Sequence, residues 1–251
     1  MWNHPHFLQN VDEQLKHVLE SILNLKLSDT EWCQATLPIR HGGLGVRKLA
    51  DISLPAFLSS VHGVKQLVST ILSTPENDLH ICLAEEALIA WNTLFSSLPD
   101  FENRTSQKSW DQIVVNQVIS QQMNSDVSED IARFKSLQKP ESNSWLHAIP
   151  SKQVGTFVES RSFRVCVGLR LGSTICRPHP CLCGEIVDCK GIHALNCEQS
   201  KGRYSRHSNL NDIVKRALTL AEYPCILEPS GLSPVNISRP DGITLVSLAT
   251  L

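Results

Sequence analysis

No apolar run in this chain approaches the roughly 20 residues that a membrane-spanning helix needs, so the sequence predicts no span and no membrane partner. The first ten residues, MWNHPHFLQN, lack the basic-then-apolar layout of an export signal. That points to an intracellular protein, cytoplasmic or nuclear and not secreted, with cysteines kept reduced. Charge is nearly balanced, with 23 Lys/Arg against 25 Asp/Glu and a formal net of -2. With 41% hydrophobic residues, such a balance argues against disorder throughout. No segment repeats at any period of about 20–50 residues, so there is no sign of a solenoid or propeller. The 251 residues suit one large domain or two modest ones, long enough to bury a core.

The near-neutral total hides an asymmetry. Ser151 to Tyr223 holds eleven Lys/Arg and six Asp/Glu, a balance of +5, which leaves -7 on the rest. A basic segment in a mildly acidic chain points to a local anionic partner.

The first two-thirds read as mainly α. Val11, Leu15, Val18, Leu19 and Ile22 recur at helical spacing and predict a helix over about 11–27. Ser28 and Glu31 have the spacing of a capping box, with a short helical turn bearing Trp32 after it. Pro38 and the glycines of His41-Gly42-Gly43-Leu44-Gly45 end that turn. Ser53 reads as the N-cap of a helix running to Leu72 that buries Phe57, Leu58, Val61, Val64, Leu67 and Val68. Further helices are expected at about 79–96, 108–123 and 127–138, with Trp91 and Trp110 on apolar faces. A linker is expected near 139–144. Phe157 to Leu171 is short, partly β-branched and rich in arginine. One more helix is expected from Ser208 or Asn209 to Ala221, and a strand-like run spans Gly242 to Val246. The expected divisions are therefore 1–75 (helical), 76–150 (helical, with the linker), 151–223 (basic and metal-stapled) and 224–251.

The strongest chemical signal is Cys181-Leu-Cys183, nine residues, then His193-Ala-Leu-Asn-Cys197. Three thiolates and an imidazole make a closed tetrahedral zinc set. Closed coordination leaves no place for a reacting water, so the expected zinc is structural, standing in for the core that the Gly-, Pro- and Cys-rich residues 172–203 lack. Four cysteines (Cys176, Cys181, Cys183, Cys189) fall within fourteen residues, and in a reducing compartment such clustering favours metal over disulfides. Cys176 and Cys189 are alternative fourth ligands.

Lys201, Arg203, Tyr204, Arg206 and His207 follow directly, and the next helix adds Lys215. Cations around one aromatic beside a metal turn suit phosphate and stacking contacts, hence weak, largely sequence-independent binding of RNA or DNA, with no small-molecule substrate. Arg239-Pro240-Asp241 precedes the last apolar run. A lone aspartate at a strand start is a weak sign of metal-dependent phosphodiester cleavage, which needs a second carboxylate. Gly242 to Leu251 contain no Asp, Glu or Lys.

The blocks Ser144-Trp145-Leu146-His147-Ala148-Ile149-Pro150-Ser151, Val167-Gly168-Leu169-Arg170-Leu171-Gly172, Pro178-His179-Pro180-Cys181-Leu182-Cys183-Gly184 and Gly191-Ile192-His193-Ala194-Leu195-Asn196-Cys197 occur in order. They continue through Arg206-His207, Glu228-Pro229-Ser230-Gly231-Leu232 and Arg239-Pro240-Asp241-Gly242, after an earlier block with Trp32, Leu37-Pro38, Gly42-Gly43-Leu44-Gly45 and Leu54-Pro55-Ala56-Phe57. Together they resemble the C-terminal part of non-LTR retrotransposon polyproteins of the restriction-like-endonuclease class. The resemblance implies that Cys181, Cys183, His193 and Cys197 form the zinc knuckle and that Asp241 corresponds to the first metal-binding aspartate. It makes Arg206-His207 the basic pair ahead of the nuclease, and 224–251 the start of an incomplete nuclease α/β core. The polymerase's Tyr-x-Asp-Asp motif is absent, since neither Tyr204 nor Tyr223 begins it. The final residues depart from the family's second catalytic strand, as a truncation or frame change would produce. The expected function is a non-catalytic remnant that binds structural zinc and nucleic acid. The alternatives are a host-retained helical interaction module with a structural zinc, and a magnesium-dependent endonuclease completed by Glu222 or Glu228.

Overall fold

The structure is a computed structural model that describes residues 2–153, 155–199, 202–229 and 241–245, with backbone alone for 202–206. Among the described residues it is mainly helical, with two short two-stranded antiparallel sheets. The chain divides into two compact units, 1–175 and 176–251. None of its described helices is long and apolar enough to cross a membrane.

The first unit holds eight helices among its described residues: α1 Pro5–Leu23, α2 Asp29–Ala35, α3 Leu49–Leu72, α4 Cys82–Leu94, α5 Gln107–Met123, α6 Ser128–Leu137, α7 Ser144–His147 and α8 Ser160–Leu171. Ser28 and Glu31 form the expected reciprocal box at the start of α2, each satisfying a backbone N–H of the other. Asn24, in the left-handed region at φ 51°, stops α1 short of the expected residue 27.

Three apolar clusters fill the unit. Leu23, Leu27, Trp32 and Ala35 meet Val167 and Leu171 of α8. Leu54 and Leu58 of α3 meet Trp91 of α4 and Trp110 of α5, whose rings cross edge-on at 4.8 Å. Leu37, Val115 and Phe134 form the third. Both buried indoles donate to backbone carbonyls, Trp91 to Ser97 and Trp110 to Arg104, so neither N–H is left unpaired.

Helix α3 begins at Leu49 and not after Ser53. Its cap comes from another helix: the buried Asp12 carboxylate of α1 accepts from Leu49 N at 2.7 Å and Ala50 N at 3.0 Å. A carboxylate there satisfies two free N–H groups and faces the positive end of the helix. Pro55 consequently lies inside α3, fully buried. Val64 and Leu67, expected in the core, are 43% and 60% exposed, because the second half of α3 runs beyond the clusters. Asp12→Ala is expected to destabilise the first unit by about 1–2 kcal/mol, read as a lower urea midpoint by tryptophan fluorescence. An unchanged midpoint would remove Asp12 from this role.

Around Gly42 and Gly43 the packing is polar. Arg170 of α8 is buried and donates to the carbonyls of Gly43, Ser142 and Ile39 and to Asn143 Oδ1, the last at 2.6 Å. Gln34 donates to the carbonyls of Gly42 and Arg170, and Arg133 to Gln34 Oε1 and the Arg170 carbonyl. A Cβ on Gly43 would stand 2.0 Å from the Leu37 carbonyl oxygen, so only glycine fits there. The residues 139–144 contribute to this packing through a 3-10 turn, Pro140–Asn143, and the buried Asn143.

In the second unit, β1 His179–Pro180 pairs with β2 Ile186–Val187, followed by α9 Ile192–Asn196 and α10 Gly202–Leu220. Strand β3 Cys225–Leu227 then pairs with β4 Gly242–Thr244. Helix α10 starts six residues before Ser208, so most of the basic stretch lies on it.

Candidate metal centre

The β1–β2 hairpin places the first two expected ligands, Cys181 and Cys183. Its turn runs from Cys181 to Gly184, closed by Gly184 N donating to the Cys181 carbonyl at 3.0 Å and Cys181 N to the Glu185 carbonyl at 2.8 Å. Gly184 sits at φ 94°, a conformation that L side chains avoid, which explains the glycine beside a ligand. The other two expected ligands come from α9 and its C-cap. Gly191, at φ 70°, turns the chain into this short helix, which carries His193, and Cys197 is its C-cap.

Asp188, which with Val187 belongs to the blocks that carry the resemblance but has no expected role, supports this turn. Its carboxylate accepts from Ile192 N at 3.4 Å, and backbone N–H groups of Lys190, Gly191 and His193 also face it. Desolvation opposes ionisation of Asp188, but these N–H groups together outweigh it and hold its carboxyl below the ordinary value. Asp188 therefore steadies the turn that delivers His193. The signal for it was present, an Asp three residues before a glycine and a helical turn.

The four expected ligand atoms converge. All lie within 4.8 Å of one another. Cys181 Sγ is 3.6 Å from Cys197 Sγ, and Cys183 Sγ is 3.2 Å from His193 Nε2. Donors bound tetrahedrally at the usual 2.3 Å Zn–S distance stand about 3.8 Å apart, so the group needs only a small relaxation to take zinc. Its charge also fits. The backbone N–H of Cys183, with the His193 ring next, lowers the Cys181 thiol to about 6. Burial pushes the Cys197 thiol up, and the neighbouring thiols of Cys181 and Cys183 add to that. Several anion-forming sulfurs around one point are what a divalent cation stabilises. Comparison with known protein families, curated proteins and solved structures yields no match to this chain. The centre is thus described by its own geometry.

Among the described residues this is the one group of His, Cys, Asp and Glu close enough to share an ion. Cys176 and Cys189 stand outside it. The Cys176 thiol is directed at the Asp188 and Cys189 carbonyls, at 3.1 and 3.6 Å, and its N–H at the Cys189 carbonyl.

Of the expected nucleic-acid contacts, His207 and Lys215 are exposed on α10. Arg203, Tyr204 and Arg206 lie on the same helix, with side chains outside the described residues, as is the whole of Lys201. Asp241 precedes β4, as expected, and its carboxylate pairs with His207 Nε2 at 3.2 Å. His207 Nε2 also lies 3.1 Å from Asn211 Nδ2. Lys215 and Asp241 line a pocket of about 180 Å³ between α10 and the β3–β4 hairpin. Glu228 N donates to the Asp241 carbonyl, whereas Glu222 sits at the far end of α10. Arg239, Pro240 and residues 246–251 lie outside the described residues.

Proposed function

We propose that this chain is a zinc-binding, nucleic-acid-binding segment of a non-LTR retrotransposon polyprotein of the restriction-like-endonuclease class, without catalysis of its own. The observation that supports it most is the meeting of Cys181, Cys183, His193 and Cys197 on a hairpin and a one-turn helix. Those residues would hold zinc as a structural ion, and α10 follows directly with its basic residues. The polyprotein origin rests on the ordered sequence blocks.

Binding is expected to be weak, steeply salt-dependent and tolerant of sequence, because cations on phosphate position a protein without reading bases. The test is a mobility shift with salt titration on the zinc-loaded chain. Arg203→Ala with Arg206→Ala should weaken binding about equally on unrelated sequences, and unchanged affinity would refute the assignment. A second reading, a helical interaction module with a structural zinc, is favoured by the exposed Leu67, Ile71 and Leu72 on α3. It predicts no salt-dependent binding at all.

Phosphodiester cleavage by divalent metal needs at least two carboxylates to place the ion and the attacking water. Asp241 supplies one, and it lies 3.2 Å from His207 Nε2. Residues 242–251 supply no Asp, Glu or Lys. Supercoiled plasmid should therefore stay un-nicked above a metal-only control in magnesium or manganese. Nicking that disappears with Asp241→Ala would reverse this and bring Glu228 into the site.

A further inference from the structure

Helix α8 is divided along its length. Its last turn is locked into the first unit by Val167, Leu171 and the four hydrogen bonds of the Arg170 guanidinium. Residues 160–166 are all exposed. Arg164, Gly168 and Leu171 fall at i, i+4 and i+7, and Arg161 lies one turn before Arg164. The stripe that faces the core at one end of the helix therefore carries two arginines at the other. Neither guanidinium has a hydrogen-bond or ion-pair partner among the described residues.

Aromatic rings accompany these charges. Phe163 is held edge-on against Trp145 at 5.9 Å. Phe157, 48% exposed, lies just before the helix with Lys152 Nζ 5.3 Å from its ring centroid. The one carboxylate between Lys152 and Arg164 is Glu159, and it is engaged as the N-cap, accepting from Arg161 N at 3.1 Å. The outer half of α8 and the residues just before it thus carry three cations, one carboxylate and two partly exposed rings, on a helix anchored at its other end.

We propose that the outer half of α8 and the residues just before it are a second contact surface for single-stranded nucleic acid. Lys152, Arg161 and Arg164 take phosphates, and Phe157 and Phe163 offer rings to unpaired bases. Interleaved cations and aromatics suit a single strand, whose bases are free to stack while its backbone seeks charge. An anionic lipid surface fits less well, because Phe163 is pinned against Trp145 and is not free to insert. The inference rests on the nucleic-acid reading above and adds to it a site in the other unit.

The test uses the full zinc-loaded chain with labelled oligothymidylate, followed by fluorescence anisotropy across a salt series. Each phosphate contact on a single strand contributes roughly 0.7 to the slope of log affinity against log salt. Arg161→Ala with Arg164→Ala should therefore lower that slope by about 1.4, with zinc content and thermal midpoint unchanged. Phe157→Ala should weaken binding about tenfold and leave the slope alone, as loss of one stacking ring does. Wild-type slope and affinity in the Arg161/Arg164 variant, alongside weaker binding in the Arg203/Arg206 variant, would overturn this surface and spare the α10 reading. Vesicles of phosphatidylserine and phosphatidylcholine are the comparison. Binding to vesicles but not to oligothymidylate, lost in the Arg161/Arg164 variant, would make the face a lipid surface and also overturn the proposal.

Discussion

Cys183→Ser or His193→Ala is expected to abolish zinc binding and to cost the second unit its order between about residues 176 and 200. This is the largest effect expected of any single change. Apparent binding free energies of structural zinc in small modules are about 10–16 kcal/mol, and where no site pre-exists in the unfolded chain this is folding free energy. Few apolar groups could take over. Val187 and Cys197 are buried there, while Leu182 and Ile186 are exposed. The wild-type chain should carry about one zinc by elemental analysis, and so should Cys189→Ser, whose thiol stands outside the cluster. Limited proteolysis checks the structural half of the expectation. A metal-free chain that stays protease-resistant across 176–200 would show that zinc is not what orders it.

All five tryptophans, Trp2, Trp32, Trp91, Trp110 and Trp145, lie in the first unit. Chelation should leave their fluorescence nearly unchanged, which separates zinc loss from general unfolding.

Arg170→Met should show the opposite pattern, with zinc retained and the tryptophan transition moved. The guanidinium is buried without a carboxylate beside it, and its charge is balanced by carbonyl oxygens alone. Desolvation accordingly lowers its pKa, yet an arginine remains charged. Methionine matches the stem of the side chain and removes all of its donors. The carbonyls of Ile39, Gly43 and Ser142 and the Asn143 amide oxygen would then lose a charged partner together. Losing a buried charged network of this kind costs about 3–5 kcal/mol. For a unit of this size, that lowers the thermal midpoint by about 10 °C. A shift of only a degree or two would mean that water replaces the guanidinium, and that Gly42, Gly43 and Asn143 hold α8 without it.

Local signals were legible wherever one short segment contains both partners of an interaction. Ser28 and Glu31 are three residues apart and cap each other, and the positive-φ glycines at positions 42, 184 and 191 mark turns that no other residue would make as readily. The Cys/His cluster belongs here too, since its four residues lie within seventeen positions and a hairpin and one short helix suffice to bring them together. The misplaced start of α3 has a different origin. Ser53 has the chemistry of an N-cap, but Asp12, 37 residues before Leu49, does the capping. Periodicity likewise assigned Val64 and Leu67 to the core, because an apolar stripe does not record where the opposing helices end. Arginine at position 170 reads as a surface residue by type, and only the approach of two separate segments, 39–43 and 142–143, turns it into an interior one.

The helical character of the first two-thirds, the capping box, the glycine turns and the make-up of the Cys/His cluster could be read along the chain, because each depends on backbone preference or on spacing within a few turns. Long-range packing settles that Asp12 starts α3, that Arg170 is buried against Gly43, that Asp188 steadies the turn before His193 and that Arg161 and Arg164 stand clear of the core. Those outcomes depend on which surfaces meet across tens of residues, and burial, the quantity that sets whether a charge is a support or an open contact, exists only once they have met.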